Sequence, residues 1–484
     1  MTQTLATPPL TWRTKLLYGL GTAATGIKTR ALVSFLMIYY NQALGLSPAS
    51  VSAIIMIATM VDAFIDPIIG SVSDNFRSRW GRRHPFMYIA IIPTTIAFYF
   101  IWAPPGGMDA GQLFYFLLVC LIVVRVFDTF FELPAMALTP ELTSNYNERT
   151  TLMSMRKGFE MVAGLLMALA GYQFFMREDE GGGGGLINPE GYVAFGATAA
   201  VLIFITMTAS AVGTHDRIPY LKQLPERKID PFVLIKEMVG TLSNRTFLII
   251  ALAGMLYATC LGVRQALEIY FFLYFWELSQ AQIAALTVIS VPGSLLGVTL
   301  APFVSRWVGK RKGTLVCWAP ALIINIAPIV LRLLGLMPGN DSEWVFYILM
   351  AENFAVQTLL ITAAVLVPSM IADVVEDSEV KTGRRAEGLL FSADNLFRKL
   401  VSGVGVFVSG LVLTLSHFPD KAERGQVAPD VLSNMALIYL PVYIVLFIAA
   451  MLAVSAFGIN RQIHEDNVRI LEARRTAEGK DDAS

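Results

Sequence analysis

Residues 62–85 read DAFIDPIIGSVSDNFRSRWGRRHP, and this stretch decides the fold because it begins in an apolar segment and ends in a basic loop. Asp62 and Asp66 are four residues apart, so they share one face of a helix. Carboxylates inside a membrane-spanning helix are costly and usually bind or relay a ligand. Four arginines follow between residues 77 and 83, as is typical where a helix leaves the membrane on the cytoplasmic side. The stretch therefore predicts an acidic cation site followed by a cytoplasmic turn.

The composition is that of a membrane protein. The chain has 484 residues, of which 55% are hydrophobic and 15% are charged, whereas about a quarter of a soluble domain is charged. Apolar runs of about 20 residues recur from end to end and predict an all-α polytopic membrane protein with about twelve transmembrane helices. The formal net charge of +0 argues against a nucleic-acid partner.

The two halves of the chain resemble each other. GLSPASV at 45–51 and ELSQAQI at 277–283 follow the first and seventh spans, and SRWGRR at 78–83 and SRWVGKR at 305–311 follow the second and eighth. A repeat of two six-helix bundles is typical of transporters that bind their substrate between the halves.

We therefore expect an N-terminal six-helix bundle over 1–213 that carries the cation site, a cytoplasmic middle loop over 214–245, a C-terminal six-helix bundle over 246–459 and a cytoplasmic tail over 460–484. Most loop lysines and arginines fall on one side of this topology, which puts both termini in the cytoplasm and the protein in the plasma (inner) membrane.

A span between residues 113 and 138 adds more charge to the membrane region. Arg125, Asp128 and Glu132 are spaced three and four apart and share one helix face. Together with Asp62 and Asp66, Glu132 could complete a cage of three carboxylates that binds Na⁺ or a proton. Alternatively, Arg125 and Asp128 could neutralise each other within their helix.

Several bases also lie in apolar segments. Lys28 and Arg30 are deep in the first span on different faces, so we expect one of them to face a cavity. Arg156 opens the fifth span and Lys399 lies in the eleventh. These bases are candidates for an anionic or strongly hydrogen-bonding substrate. Alternatively, those of the first and eleventh spans could pair with an acid on another helix, and Arg156 could merely cap the cytoplasmic loop.

The sequence carries no catalytic motif, P-loop or metal-ligand spacing. We therefore expect neither an enzyme nor an ATP-driven pump, and no cofactor. The expected partners are a small-molecule substrate, a coupling cation (Na⁺ or H⁺) and the lipid bilayer.

Three segments carry a family resemblance: DAFIDPIIGSVSDNFRSRWGRRHPF (62–86), ELPAMALTPELTSNYNERTTLMSMR (132–156) and ADVVEDSEVKTGRRAEGLLFSADNLFRK (372–399). They resemble signatures of the glycoside–pentoside–hexuronide:cation symporters (melibiose permease-like) of the major facilitator superfamily. The likeness covers essentially the whole chain. It implies the major facilitator fold and symport of a sugar with Na⁺, Li⁺ or H⁺.

The resemblance also implies roles for single residues. The cation-binding residues would be Asp62, Asp66, Glu132 and Thr129, with the three carboxylates as the metal ligands if the ion is Na⁺. The resemblance also implies that Arg156 and Lys399 bind the substrate. From their positions along the chain, the further candidates are Lys28, Asp128 and Asn395 for substrate binding and Asp74, Arg82 and Arg83 for gating.

Two positions depart from the family pattern. The helix-1 aspartate that hydrogen-bonds a galactoside falls on Gly26, and a tryptophan that follows the helix-4 acid is Met136. Together with Lys28 and Arg30, these departures favour a different sugar, such as an anionic uronide or a sulfated sugar. A lysophospholipid or another amphipathic anion is an alternative substrate, because animal relatives of the same fold move lysophospholipids. A non-transporting membrane sensor is a further alternative.

Overall fold

The computed structural model describes residues 9–143, 145–177, 185–220, 231–382, 387–459 and 461–481. Every regular element in these ranges is helical. The α-helices before the middle loop are α1 (Trp12–Ala31), α2 (Pro48–Asn75), α3 (His84–Trp102), α4 (Ala110–Leu142), α5 (Tyr146–Ala170) and α6 (Pro189–Gly213). Those that follow are α7 (Pro231–Gly240), α8 (Arg245–Tyr270), α9 (Gln280–Val308), α10 (Lys310–Leu333), α11 (Glu343–Thr382), α12 (Glu387–Leu415), α13 (Pro429–Ser455) and α14 (Arg461–Asp481).

The described helices confirm the predicted all-α membrane fold. Eleven of them, all except α1, α7 and α14, are long and apolar enough to cross a membrane. The predicted first span corresponds to α1, which π-helical turns at Leu32–Leu36 and Tyr39–Ala43 extend. Its charged residues, among them Lys28 and Arg30, lower its hydropathy, and its role as a twelfth span stays a prediction.

The chain packs into two compact units. Unit 1 is drawn from residues 1–234, 265–287 and 406–432, and unit 2 from residues 235–264, 288–405 and 433–484. The two units are defined by packing contacts, and their bounds differ from those of the two sequence repeats. They do not test the predicted boundaries after residues 213, 245 and 459, which stay a prediction. Residues 221–230 of the predicted middle loop and residues 460 and 482–484 of the predicted tail lie outside the described residues.

Small residues allow α1 to pack closely within unit 1. A Cβ atom added at Gly21 would come within 2.6 Å of Ser210 Oγ on α6, and one at Gly26 would collide with the backbone carbonyl oxygen of Glu160 on α5. A Cβ at Gly164 would lie 3.0 Å from the Gly26 carbonyl oxygen. Lipid provides little apolar driving force between helices, so close backbone contact and hydrogen bonds hold them together. The α1–α5 crossing therefore leaves no room for a side chain at residue 26.

A buried polar network holds the far end of the first span. Asn41 and Gln42 lie on the second π-helical turn and are fully buried. Asn41 Nδ2 donates to Asp420 Oδ1 at 2.8 Å, and Tyr270 Oη donates to Asn41 Oδ1 at 2.9 Å. Gln42 Oε1 accepts the backbone N–H of Ala422 at 2.7 Å. Within unit 1, the network thus connects the first span to Tyr270 and to the segment after α12.

Replacing Asn41 by alanine is expected to destabilise unit 1. The buried Tyr270 hydroxyl would lose its acceptor, and an unsatisfied buried polar group costs about 1–3 kcal/mol. The thermal unfolding midpoint of the purified protein in detergent measures the effect. Gln426→Ala is the matched control, because Gln426 is an exposed amide in the segment that also contains Ala422. Equal midpoints for Asn41→Ala and the control would show that the network does not contribute to stability.

Candidate functional site

Two aspartates of α2 converge on one hydroxyl of α4. Thr129 Oγ1 lies 3.0 Å from Asp62 Oδ1, 2.9 Å from Asp66 Oδ1 and 3.2 Å from the carbonyl oxygen of Arg125. A threonine hydroxyl has one hydrogen to donate, so it can serve one of these three acceptors at a time. Asp62 and Thr129 are buried. The result is a largely buried cluster in which two carboxylates and a backbone carbonyl oxygen surround one hydroxyl, an arrangement that suits a cation or an added proton.

Tertiary packing adds a base that is distant from the aspartates in sequence. Arg125 Nη1 of α4 lies 3.7 Å from Asp62 Oδ2, on the oxygen that does not contact Thr129. The alternative in which Arg125 pairs with Asp128 is wrong, because the described partner of Asp128 lies on another helix. The long Arg125 contact offsets part of the negative charge and leaves Asp62 Oδ1 to the oxygen cluster.

Asp128 instead pairs with α1. Lys28 Nζ donates to Asp128 Oδ1, and the lysine side chain is 2% exposed while that of the aspartate is 25% exposed. A buried ion pair neutralises two charges that would be costly to leave apart in a membrane. The predicted alternative, in which Lys28 pairs with an acid on a neighbouring helix, therefore describes this structure. The side chain of Arg30, in contrast, is exposed. The substrate-binding roles of Lys28 and Asp128 stay predictions.

Glu132 belongs to a second polar group that joins α1, α4 and α5. Its Oε1 accepts from Arg156 Nη2 at 2.5 Å and its Oε2 accepts from Thr25 Oγ1 at 3.0 Å. The Arg156 guanidinium carbon also lies 5.2 Å from the centre of the Tyr18 ring, within the range of a cation–π contact. The structure thus places Glu132 with Arg156 and places Thr129 with the aspartates. The predicted cation-binding role of Glu132 stays a prediction.

The two remaining substrate candidates lie in unit 2. Asn395 and Lys399 are four residues apart on α12, so they share a helix face. On a different face, Arg398 Nε donates to Asp394 Oδ2 at 2.7 Å. A Cβ atom added at Gly254 would collide with the Arg398 guanidinium, so that glycine makes room for the arginine. The roles of Asn395 and Lys399 stay predictions.

The predicted gating residues form ion pairs at the ends of α2, α3 and α4. Arg83 Nη1 lies 2.5 Å from Asp74 Oδ1 and also donates to Ser73 Oγ at 3.1 Å. Arg82 Nη2 and Arg83 Nε lie 2.6 Å and 3.3 Å from Glu141 Oε1. Asp74, Arg82 and Arg83 are therefore brought together within unit 1, and Glu141 is the acid that the two arginines share.

Sequence reasoning missed two members of these groups. Glu141 lies in TPEL (139–142) near the end of α4, nine residues after Glu132. The available signal was the predicted topology, which puts this helix end on the same side of the membrane as the basic loop after α2. Thr25 gave no signal, because a threonine in an apolar helix commonly bonds its own backbone. Its contact with Glu132 depends on the way α1 crosses α4.

Comparisons with known proteins agree with this fold. A model of the family described as MFS/sugar transport protein matches residues 17–461. An uncharacterized symporter of Synechocystis sp. is 27% identical over 98% of this chain and 99% of the relative. The isoprimeverose transporter of Lactiplantibacillus pentosus is 24% identical over 84% of this chain and 81% of its own. The crystal structure of a D-xylose–proton symporter, 14% identical, aligns with a TM-score of 0.63 over 93% of this chain and 98% of that one.

Proposed function

The chain belongs to the MFS/sugar transport protein family, and on that premise we propose that it couples the movement of Na⁺ or H⁺ to symport of a sugar or glycoside. It is an integral multi-pass membrane protein whose relatives are named as symporters and sugar transporters. The observation that carries the coupling proposal is the Thr129 hydroxyl with three oxygen acceptors around it. A symporter needs a site for its coupling cation and a passive carrier does not, so this cluster supports the proposed coupling.

The coupling cation binds at Asp62, Asp66 and Thr129. Two carboxylates that approach the same hydroxyl repel each other, and a cation or a proton between them relieves the repulsion. Hard cations prefer oxygen ligands from carboxylates, hydroxyls and backbone carbonyls, and the Thr129 hydroxyl has carboxylate and carbonyl oxygens within 3.2 Å of its Oγ1. The cluster therefore supplies the chemistry for Na⁺ and for H⁺ alike.

Glu132 connects the cation to the substrate. It lies one helical turn after Thr129 on α4, and its carboxylate neutralises Arg156 in the described conformation. A cation that attracts Glu132 as a third carboxylate would weaken its bond to Arg156. The guanidinium would then be available for hydroxyl or oxyanion groups of the substrate. Cation binding would thus favour substrate binding, which is the thermodynamic requirement for symport.

The charged ends of α2, α3 and α4 act as the gate. The pairs that Arg82 and Arg83 make with Asp74 and Glu141 hold these helix ends together, and we place them on the cytoplasmic side together with both termini. Rearrangement of such pairs accompanies the rocking of bundles in transporters of this kind.

Uptake into proteoliposomes tests the proposal. The purified protein is reconstituted and given labelled neutral glycosides, uronides and a lysophospholipid under an inward Na⁺ gradient, an inward H⁺ gradient or none. We expect one sugar class to accumulate under one of the gradients and to stop accumulating when an ionophore dissipates it. Liposomes without protein are the control.

Three outcomes would contradict the proposed function. Equal sugar uptake with and without a gradient would indicate a passive carrier. Accumulation of the lysophospholipid alone would indicate a lipid transporter. Binding of a sugar without any uptake would indicate a sensor that retains the fold.

A further inference from the structure

Arg30 is a charged side chain near the middle of the first span. It lies one residue before the end of α1, and π-helical turns continue the same segment as far as Ala43. Its side chain is exposed, whereas those of Ile27, Lys28 and Ala31 around it are buried. Ionisable residues at this depth almost always face the interior of the bundle or a water-filled space, because lipid cannot solvate them. The exposure of Arg30 therefore indicates contact with water inside the protein.

The other bases around the site each have an acid. Lys28 pairs with Asp128, and Arg156 Nη2 lies 2.5 Å from Glu132 Oε1. Arg125 Nη1 lies 3.7 Å from Asp62 Oδ2. Arg30 forms no ion pair or hydrogen bond within the ranges that the structure describes. It is thus the base of this region whose charge is still available to a ligand.

The surroundings of Arg30 are suited to a polar molecule. Gly26 lies one helical turn earlier on the same face, and a Cβ added at Gly164 on α5 would be 3.5 Å from Arg30 Cβ. The glycine at residue 164 lets the Cβ of Arg30 approach α5 closely. Tyr172 also has both Arg30 and Glu268 in its electrostatic surroundings. The Arg30 guanidinium, which can bind an oxyanion, therefore lies in one neighbourhood with the buried Tyr172 side chain.

We propose that Arg30 binds an oxyanion of the transported sugar, so that the substrate is an acidic sugar such as a uronide and not a neutral glycoside. This assignment rests on the proposed sugar symport. A guanidinium binds a carboxylate or a sulfate through two parallel N–H···O bonds, which fixes the orientation of the sugar as well as its charge. The substrate anion would be the negative partner of Arg30, which pairs with no acid among the described residues.

A matched pair of ligands tests the role of Arg30. The 4-nitrophenyl glucuronide and the 4-nitrophenyl glucoside differ at the sugar C5 substituent, and binding of each to the purified protein is measured by calorimetry. We expect the wild type to bind the glucuronide more tightly. Arg30→Gln is expected to weaken glucuronide binding about 10- to 100-fold, the range for a hydrogen-bonded charged group, and to change glucoside binding less than about threefold. Arg30→Lys keeps the charge but lacks the planar guanidinium. We expect its affinity for the glucuronide to lie between those of the wild type and Arg30→Gln.

Arg469→Gln is the control, because Arg469 is an exposed arginine of the tail helix α14, and it should bind both ligands as the wild type does. Glucuronide binding by Arg30→Gln within about twofold of the wild type would overturn the assignment. So would an equal loss for both ligands, which indicates a structural defect. Gradient-driven uptake of the glucoside but not of the glucuronide would leave the proposed symport intact and refute the role of Arg30. Absence of binding and uptake for both would refute both proposals.

Discussion

Replacing Asp62 by asparagine is expected to abolish cation-driven uptake while the protein still folds. The amide has nearly the same shape as the carboxylate, but it removes the negative charge and places N–H donors where a cation needs oxygen ligands. The side chain is buried, so water cannot replace the lost interaction. The expected loss in gradient-driven initial rate is about 100-fold, the upper end for a hydrogen-bonded charged group. Reconstituted proteoliposomes under an imposed Na⁺ or H⁺ gradient provide the measurement.

Exchange of labelled for unlabelled substrate without any gradient separates coupling from folding. We expect Asp62→Asn to keep a substantial part of this exchange, because substrate groups on α1 and α5 are unchanged. Asp466→Asn is the matched control, since Asp466 is an exposed aspartate on the tail helix α14. Uptake by Asp62→Asn that remains fully cation-dependent would show that the coupling ion binds elsewhere.

Replacing Gly26 by alanine is expected to destabilise the protein strongly and to reduce transport with it. The added methyl group would be driven into the carbonyl oxygen of Glu160, which is backbone and cannot move as a flexible side chain can. Overpacking of a tight interior contact costs about 1–3 kcal/mol, and the cost at a backbone contact belongs at the upper end. The yield of folded protein and its thermal unfolding midpoint in detergent measure the effect.

Gly158→Ala is the matched control for Gly26→Ala. Gly158 is a glycine within helix α5, and a Cβ added there would have no neighbouring atom within 4 Å. We expect this control to unfold at the wild-type midpoint or slightly above it, because alanine favours a helix by about 1 kcal/mol over glycine. If the Gly26→Ala protein is as stable as the Gly158→Ala control, α1 and α5 can move apart at this crossing at little cost in stability.

The Gly26 crossing also gives a physical reason for a departure from the family pattern. The resemblance puts a galactoside-binding aspartate at residue 26, and here the carbonyl oxygen of Glu160 occupies the position that its Cβ would need. A charged group reappears one turn later as Arg30, with the opposite sign. Gain of neutral galactoside uptake by a well-folded Gly26→Asp protein would contradict this steric explanation.

The amino-acid sequence by itself determined the class of the protein and the positions of its charges along each helix. Apolar runs long enough to cross a membrane specify helices, because lipid leaves backbone groups no other partner than their own helix. The four-residue spacing of Asp62 and Asp66 put both on one face of α2, and both do approach Thr129. Helix formation and the face on which a residue lies depend on neighbouring residues alone, so the sequence is enough to predict them.

The tertiary structure alone decided which charge meets which. Lys28 pairs with Asp128, and Glu132 pairs with Arg156, although sequence spacing allowed Asp128 to pair with Arg125 and Glu132 to join the aspartates. It also decided that the Glu160 carbonyl oxygen leaves no space for a Cβ at Gly26, and that Arg30 is exposed while Lys28 is buried. Helical periodicity sets the direction of a side chain relative to its own helix axis. The partner depends on where two helices cross, and small residues such as Gly26 and Gly164 set that crossing through close backbone contact.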